Sequence, residues 1–203
     1  RWAAMNQANL PHLDFSQQAM LVRLVRQAIE RAIPDRKPLD SESIEGGCLA
    51  YPRLREPRGA FVTIYVRGEL RGCLGEIEPR QSLAATAAHC GGRAVYADWR
   101  FEPVRREELA ALQFKISVLT IPDPVRALDE IVIGRDGLIV RHEGRAGLLL
   151  PEVASERGWN VATFLKNLWR KAGIDRPVRL DEVELLRFES QLIRGEDFPV
   201  RIE

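Results

Sequence analysis

Apolar residues recur at helical spacing early in the chain. Leu21, Leu24, Val25, Ala28, Ile29 and Ala32 form one stripe, which predicts a helix from about Ser16 to Ala32. Asp14 or Ser16 can cap it, and Pro34 should stop it. Residues Asp35–Gly59 mix proline, glycine and charge, and read as an irregular connection with a short apolar piece at Cys48–Tyr51. Ala60–Val66 is β-branched and aromatic, the pattern of a strand buried on both faces. Arg67-Gly68-Glu69 reads as a tight turn and Leu70–Leu74 as the returning strand, which together make a hairpin.

Further along, Leu83, Ala87, Cys90, Ala94 and Ala97 mark a helical stripe within the alanine-rich stretch Gln81–Ala97. Gly91-Gly92 should weaken or bend that helix, by roughly 1 kcal/mol per glycine. A shorter helix is expected from Pro103 through Glu107, Glu108 and Leu109. Phe114–Ile121 alternates as a strand. Gly137–Val140 and Gly147–Leu150 read as two strands joined by His142–Arg145. A short helix should follow Pro151. Asn160 can cap a last long helix to about Ala172, which Gly173 ends. Val183–Ile193 supplies one closing strand. This order is not a regular βαβα alternation. It predicts an α+β fold, with a mixed or mostly antiparallel sheet flanked by helices. Residues 15–193 are expected to form a single domain, with 1–14 an N-terminal extension and 194–203 a C-terminal tail. Met5 lies close to the start, and Arg1–Ala4 are set aside from the fold argument.

Composition narrows the function classes. Thirty basic and 29 acidic side chains leave a formal charge of +1, so there is no general electrostatic drive toward nucleic acid or an anionic membrane. No apolar run has the length of a membrane span, and Arg1–Leu10 lacks the pattern of a signal peptide. Three cysteines, Cys48, Cys73 and Cys90, make no disulfide framework and fit a reducing, cytoplasmic compartment. His12, His89 and His142 are scattered, so no dedicated metal site is expected. No phosphate loop and no nucleophile elbow occur, and no cofactor can be named.

Chemistry concentrates in three segments. In Leu70-Arg71-Gly72-Cys73-Leu74-Gly75, an extended strand would put Arg71 and Cys73 on one face. A guanidinium beside a thiol favours the thiolate, and Gly72 and Gly75 leave room for a ligand or another backbone. Cys73 is therefore the candidate catalytic residue. Free cysteine is also among the most buried residue types, so a packing role stays open. In Asp98-Trp99-Arg100-Phe101-Glu102-Pro103, Asp98 and Arg100 could pair with each other or with Arg71, or orient a polar substrate. Phe101 is most simply a core anchor. In the third segment, Glu152 sits in a helix's first turn, where a carboxylate is favourable for electrostatic reasons alone, and Trp159 reads as a packing residue. His89 reads as a partly exposed surface histidine. Arg53, Arg55 and Arg58 are interleaved with acids and read as a solvated face.

These segments, in this order, resemble the AMMECR domain family. The motif LRGC[IL]G stands at Leu70–Gly75, DxRFxP at Asp98–Pro103, and LPEVAxExGW at Leu150–Trp159. Ile116-Ser117-Val118-Leu119, Gly134, Gly137 and Lys171-Ala172-Gly173 also match. The resemblance covers roughly Phe15–Ile193 and implies an α+β domain with a larger and a smaller lobe. It raises Cys73, Arg71, Asp98 and Arg100 as site residues, with Gly72, Gly75 and Glu152 beside them as substrate-binding candidates. Asp136 stands where members often carry histidine. The family is similar to one component of a gene system that includes a Memo-type and a radical-SAM protein, which implies them as partners. Three readings follow: a thiol-dependent enzyme, a non-catalytic partner subunit of that system, and, more weakly, an RNA-modification protein.

Overall fold

The computed structural model describes residues 12–78, 81–176 and 178–199. The chain divides into two compact units. One takes in the described residues up to Val118 together with those from Gln191 onward; the other is Leu119–Ser190. Each unit holds its own apolar core and contributes to a four-stranded sheet.

The first unit opens with α1 (Phe15–Asp35). Its N-cap is Asp14, whose Oδ1 accepts from Gln17 N at 2.9 Å while Gln17 Oε1 accepts from Asp14 N at 3.0 Å. The reciprocal pair satisfies two otherwise orphaned donors. The helix runs through position 34 to Asp35, beyond the expected stop, and closes on Arg36 in the left-handed region (φ 55°). The connection expected to be irregular contains a second helix, α2 (Ser41–Cys48), and a 3-10 turn at Pro52–Arg55. Asp40 caps α2, and Ile44 and Cys48, four apart, bury its inner face. Arg58 is not part of a solvated face. It is 6% exposed, pairs with Glu56 at 3.4 Å, and leaves Nε without a hydrogen-bond partner among the described residues. Burial holds its pKa below the usual guanidinium value, against the favourable Glu56 charge.

Strands β1 (Ala60–Val66) and β2 (Glu69–Glu76) form the expected hairpin. Its turn is the two-residue Arg67-Gly68, both at positive φ (54° and 83°), so Glu69 already belongs to the strand. Contrary to expectation, β1 is fully buried on one face only. Ala60, Val62, Ile64 and Val66 enter the core, while Phe61, Thr63 and Tyr65 are half-buried on the outer face. The buried face packs on α1 and on α3 (Leu83–Ala94). Gly91 and Gly92 do not break α3. They let it approach α1, since a Cβ at Gly91 would lie 2.8 Å from Val25 Cγ1 and one at Gly92 would lie 3.2 Å from the Ala28 carbonyl oxygen.

After α3, Pro103 lies outside any helix, and a 3-10 turn follows at Arg106–Ala111. Strand β3 (Leu112–Leu119) pairs antiparallel with β1. The single closing strand is instead two, β7 (Glu184–Phe188) and β8 (Ser190–Arg194), which join different sheets. The break falls at Glu189, whose backbone N–H and carbonyl are held by Thr120. The first sheet has the order β2-β1-β3-β8. Leu13 and Phe198, expected in the extension and the tail, both pack in this unit; Leu13 is held by the Gln191 side chain and Phe198 O accepts from Arg26.

The second unit is built on β4 (Asp123–Pro124), β5 (Gly137–His142), β6 (Arg145–Leu149) and β7, in the order β4-β7-β5-β6, antiparallel throughout. Helix α4 (Pro151–Glu156) follows Leu150, and α5 (Val161–Lys171) is capped by Asn160 and followed by Gly173 at φ 71°. Phe164, Leu165 and Leu168 bury its inner face. The fold is therefore α+β with two antiparallel four-stranded sheets. No helix among the described residues is long and apolar enough to cross a membrane.

Gly72 is the tightest backbone approach, since a Cβ there would lie 2.0 Å from the Ala94 carbonyl oxygen. Gly72→Ala should destabilise the chain by about 3 kcal/mol. Gly46→Ala, in the exposed α2 with nothing within 4 Å, should instead stabilise by up to about 1 kcal/mol. Urea unfolding of both variants tests the pair. Equal midpoints would refute the packing role assigned to Gly72.

Candidate functional site

The position of Cys73 depends on a bulge in the hairpin. Val66 pairs with Glu69 and Tyr65 with Leu70, but Ile64 pairs with Gly72, so Arg71 is the extra residue. From there on the register is shifted by one, and Thr63 pairs with Cys73. Paired residues share a face, so Cys73 lies on the outer face of the sheet beside Thr63, while Gly72 turns to the core against Ala94. The Thr63 hydroxyl donates to Cys73 Sγ at 3.4 Å, and the thiol is half-buried. Lys115 of β3 pairs with Thr63 from the other side, which puts Cys73, Thr63 and Lys115 in one row of residues across three strands.

The backbone of Cys73 is held from outside the sheet. Its N–H donates to Asp98 Oδ2 at 2.9 Å. Asp98 is 5% exposed. Arg100 grips it by two edges, Nε to Oδ1 at 2.8 Å and Nη2 to Oδ2 at 2.6 Å, and its backbone N–H adds a third contact to Oδ1 at 3.3 Å. The Arg100 hydrogen bonds, helped by the Cys73 and Arg100 backbone donors and opposed by burial, hold the Asp98 carboxyl down at about 2. Arg100 is correspondingly raised, first by the Asp98 hydrogen bond, and Cys73 is among the groups that favour its charge. Its side chain is 49% exposed and lies over the Phe101 ring at 5.3 Å. Phe101 is thus half-buried under a cation rather than a full core anchor. Between Asp98 and Arg100, Trp99 is 92% exposed.

Asp98 and Arg100 pair with each other; Arg71 is engaged elsewhere. Its guanidinium binds Glu108 at 2.5 and 3.3 Å and the Glu102 carbonyl at 3.2 Å. That pairing, with the Arg105 N–H, lowers the pKa of Glu108. These residues line a surface depression of about 560 Å³ with Arg105 and Glu107. Gly75 is filled by its neighbour, since a Cβ there would lie 2.3 Å from the Phe61 ring. Glu152 lies in the first turn of α4 in the second unit and its carbonyl accepts from Ser155. Trp159 packs, half-buried, against that unit's core beneath Arg157. Asp136 is buried there; burial pushes its carboxyl up, but Arg135 and the Val132 N–H together hold it below the ordinary value. His89 is half-buried in α3, 3.5 Å from Arg93. Among the described residues, no three His, Cys, Asp or Glu are placed to hold a metal ion.

Thr63, Lys115 and Glu108 are the partners that sequence reasoning missed. The three-residue turn read from the sequence, Arg67-Gly68-Glu69, would already put Thr63 opposite Cys73, but that count was not carried across the hairpin; the two-residue turn actually present would put Val62 there. In the structure the bulge at Arg71 restores the Thr63–Cys73 pair.

The depressed Asp98 carboxyl has a defined consequence. A group whose pKa falls on folding stabilises the native state above its unfolded value, about 3.9. That contribution is lost as the pH falls through the folded value. Asp98→Asn should therefore be less stable than the parent by on the order of 2 kcal/mol at neutral pH. The gap should close between pH ~4 and pH ~2. Urea unfolding of both chains across this range tests it, and a gap independent of pH would refute the assigned ionisation.

Comparison with known proteins places the chain. The AMMECR1 family model matches residues 22–193. A protein of Thermofilum pendens is 38% identical, over 89% of this chain and 90% of its own length. Protein MJ0810 of Methanocaldococcus jannaschii is 37% identical, over 89% and 90%. The crystal structure of the uncharacterized protein PH0010 from Pyrococcus horikoshii superposes with a TM-score of 0.74 at 31% identity, over 86% of this chain and 89% of that one. The chain belongs to the AMMECR1 family.

Proposed function

We propose that this AMMECR1-family chain is a thiol-dependent enzyme with Cys73 as its nucleophile, working in a reducing, cytoplasmic setting. The observation that carries the reading is the treatment of Cys73. Its sulfur is half-buried on the outer face of the sheet and accepts from Thr63, while its backbone is anchored on the Asp98–Arg100 pair. In the proposed step the thiol gives its proton to water and the sulfur electron pair adds to a carbonyl-type carbon of the substrate; the C=O π bond breaks, its pair moves onto the oxygen, and that oxygen takes up a proton from water. Arg100 spends Nε and Nη2 on Asp98, and the half-exposed remainder of its guanidinium can orient a polar group of that substrate.

The other two thiols supply the contrast. Cys90 is buried in α3 and desolvation pushes it up to about 12; burial also raises Cys48. In the folded chain, iodoacetamide with mass-spectrometric site mapping should modify Cys73 at least tenfold faster than Cys48 or Cys90. Protection of all three until unfolding would make Cys73 a packing residue and end the enzyme reading. Full in vivo function of Cys73→Ser would end it equally.

A second reading, a partner subunit for Memo-type or radical-SAM proteins, is favoured by Trp99. An indole left almost wholly exposed beside the Asp98–Arg100 pair has the character of an interface anchor. Under this reading, affinity-tagged chain should retain such a partner and Trp99→Ala should lose it, with unfolding unchanged. Retention by neither chain removes the reading.

A further inference from the structure

Lys115 is held in the first unit by an aromatic ring rather than by a carboxylate. It projects from β3 onto the outer face of the sheet, in register with Thr63 and, through Thr63, with Cys73. Strands stand 4.7–4.9 Å apart, so its Cα lies about 10 Å from that of Cys73, within reach of one small molecule lying across Thr63. Its ammonium rests over the Tyr65 ring at 4.9 Å. Among the described residues it makes no ion pair with a carboxylate.

The neighbouring charges sharpen this. Asp98 is neutralised by Arg100 and Glu108 by Arg71, each at hydrogen-bond distance. The two pairs leave little net charge of their own. Lys115 therefore adds an uncompensated positive charge to the face that carries the thiol. A cation held over an aromatic ring without a carboxylate is partly desolvated and still able to accept an anion.

Resting on the thiol-dependent reading, we infer that Lys115 is a specificity-determining residue, and that the molecule acted on by Cys73 carries a carboxylate or phosphate bound by Lys115 across Thr63. Its electrophilic carbon then lies toward Cys73 and its anionic group toward β3.

The test uses two alkylating probes of similar size and different charge, iodoacetate and iodoacetamide, on the full chain. The readout is the ratio of their rates at Cys73, relative to the same ratio for free cysteine in the same buffer. The parent should favour iodoacetate more than free cysteine does. Lys115→Met should lower the ratio about three- to tenfold and leave the iodoacetamide rate within twofold, while Lys115→Arg should keep it near the parent value. Raising the salt should shrink the parent's preference toward that of Lys115→Met. An unchanged ratio in Lys115→Met, with normal iodoacetamide labelling, overturns the role of Lys115 and leaves the thiol reading standing. Failure of both probes to reach Cys73 in the folded parent overturns both.

Discussion

The carbonyl oxygen of Ala94 occupies the space where any side chain at position 72 would begin, and much of the candidate site follows from that contact. Only glycine fits, so Gly72 must be the β2 residue that faces α3. In a regular hairpin from the Arg67-Gly68 turn, Gly72 would face outward and Cys73 inward, opposite Val62. The extra residue at Arg71 reverses this. A bulge shifts the facing of every later residue in its strand by one. Gly72 then meets the last turn of α3, and Cys73 emerges on the outer face beside Thr63. Close helix–strand packing and a cysteine half-buried on the outer face are two results of one register shift.

The second determinant is the sharing of Asp98. Its Oδ2 accepts from the Cys73 backbone and from Arg100, while Oδ1 accepts from two Arg100 donors. A buried carboxylate with this many donors stays ionised far below its ordinary range. It ties the segment after α3 to β2 at the residue that bears the thiol. Arg71 performs a similar service nearby, joining the bulge to Glu108 and to the Glu102 carbonyl. Two charge-assisted pairs therefore fix the surroundings of Cys73. They also explain why Arg71 and Asp98 do not meet, although the sequence offered that pairing.

Most of the fold was legible because periodicity records burial. The α1 and α5 stripes, both hairpins, the Asn160 cap and the Gly173 stop all follow from local pattern and chemistry. The failures share a cause, which is that tertiary packing reused residues with strong local meanings. Gly91-Gly92 signals a weak helix, yet against α1 it permits close contact. Arg58 signals a surface, yet it is buried with Glu56 as its partner. Val183–Ile193 reads as one strand because nothing local shows that Glu189 is held by Thr120, some 69 residues away in sequence. At the site, the motifs marked Cys73, Asp98 and Arg100. Thr63 was within reach of the hairpin count but was not drawn, and Lys115 could not be found, since no local pattern gives the register of β3 on β1.

The three cysteines show where chemical character comes from in this fold. Cys48 and Cys90 stand on helices with their sulfurs turned into the core. Removing a thiolate from water is expensive, so burial alone raises both. Cys73 has the same side chain in the same unit, a few ångströms of strand away from equivalent burial. Had β2 continued without its bulge, the third thiol would have joined the other two in the core. A place outside the core is also what a row of Cys73, Thr63 and Lys115 requires, because three polar groups side by side on the core face of the sheet would each need a buried partner. The outer face admits them without that penalty, and strand register rather than residue type decides that they lie there.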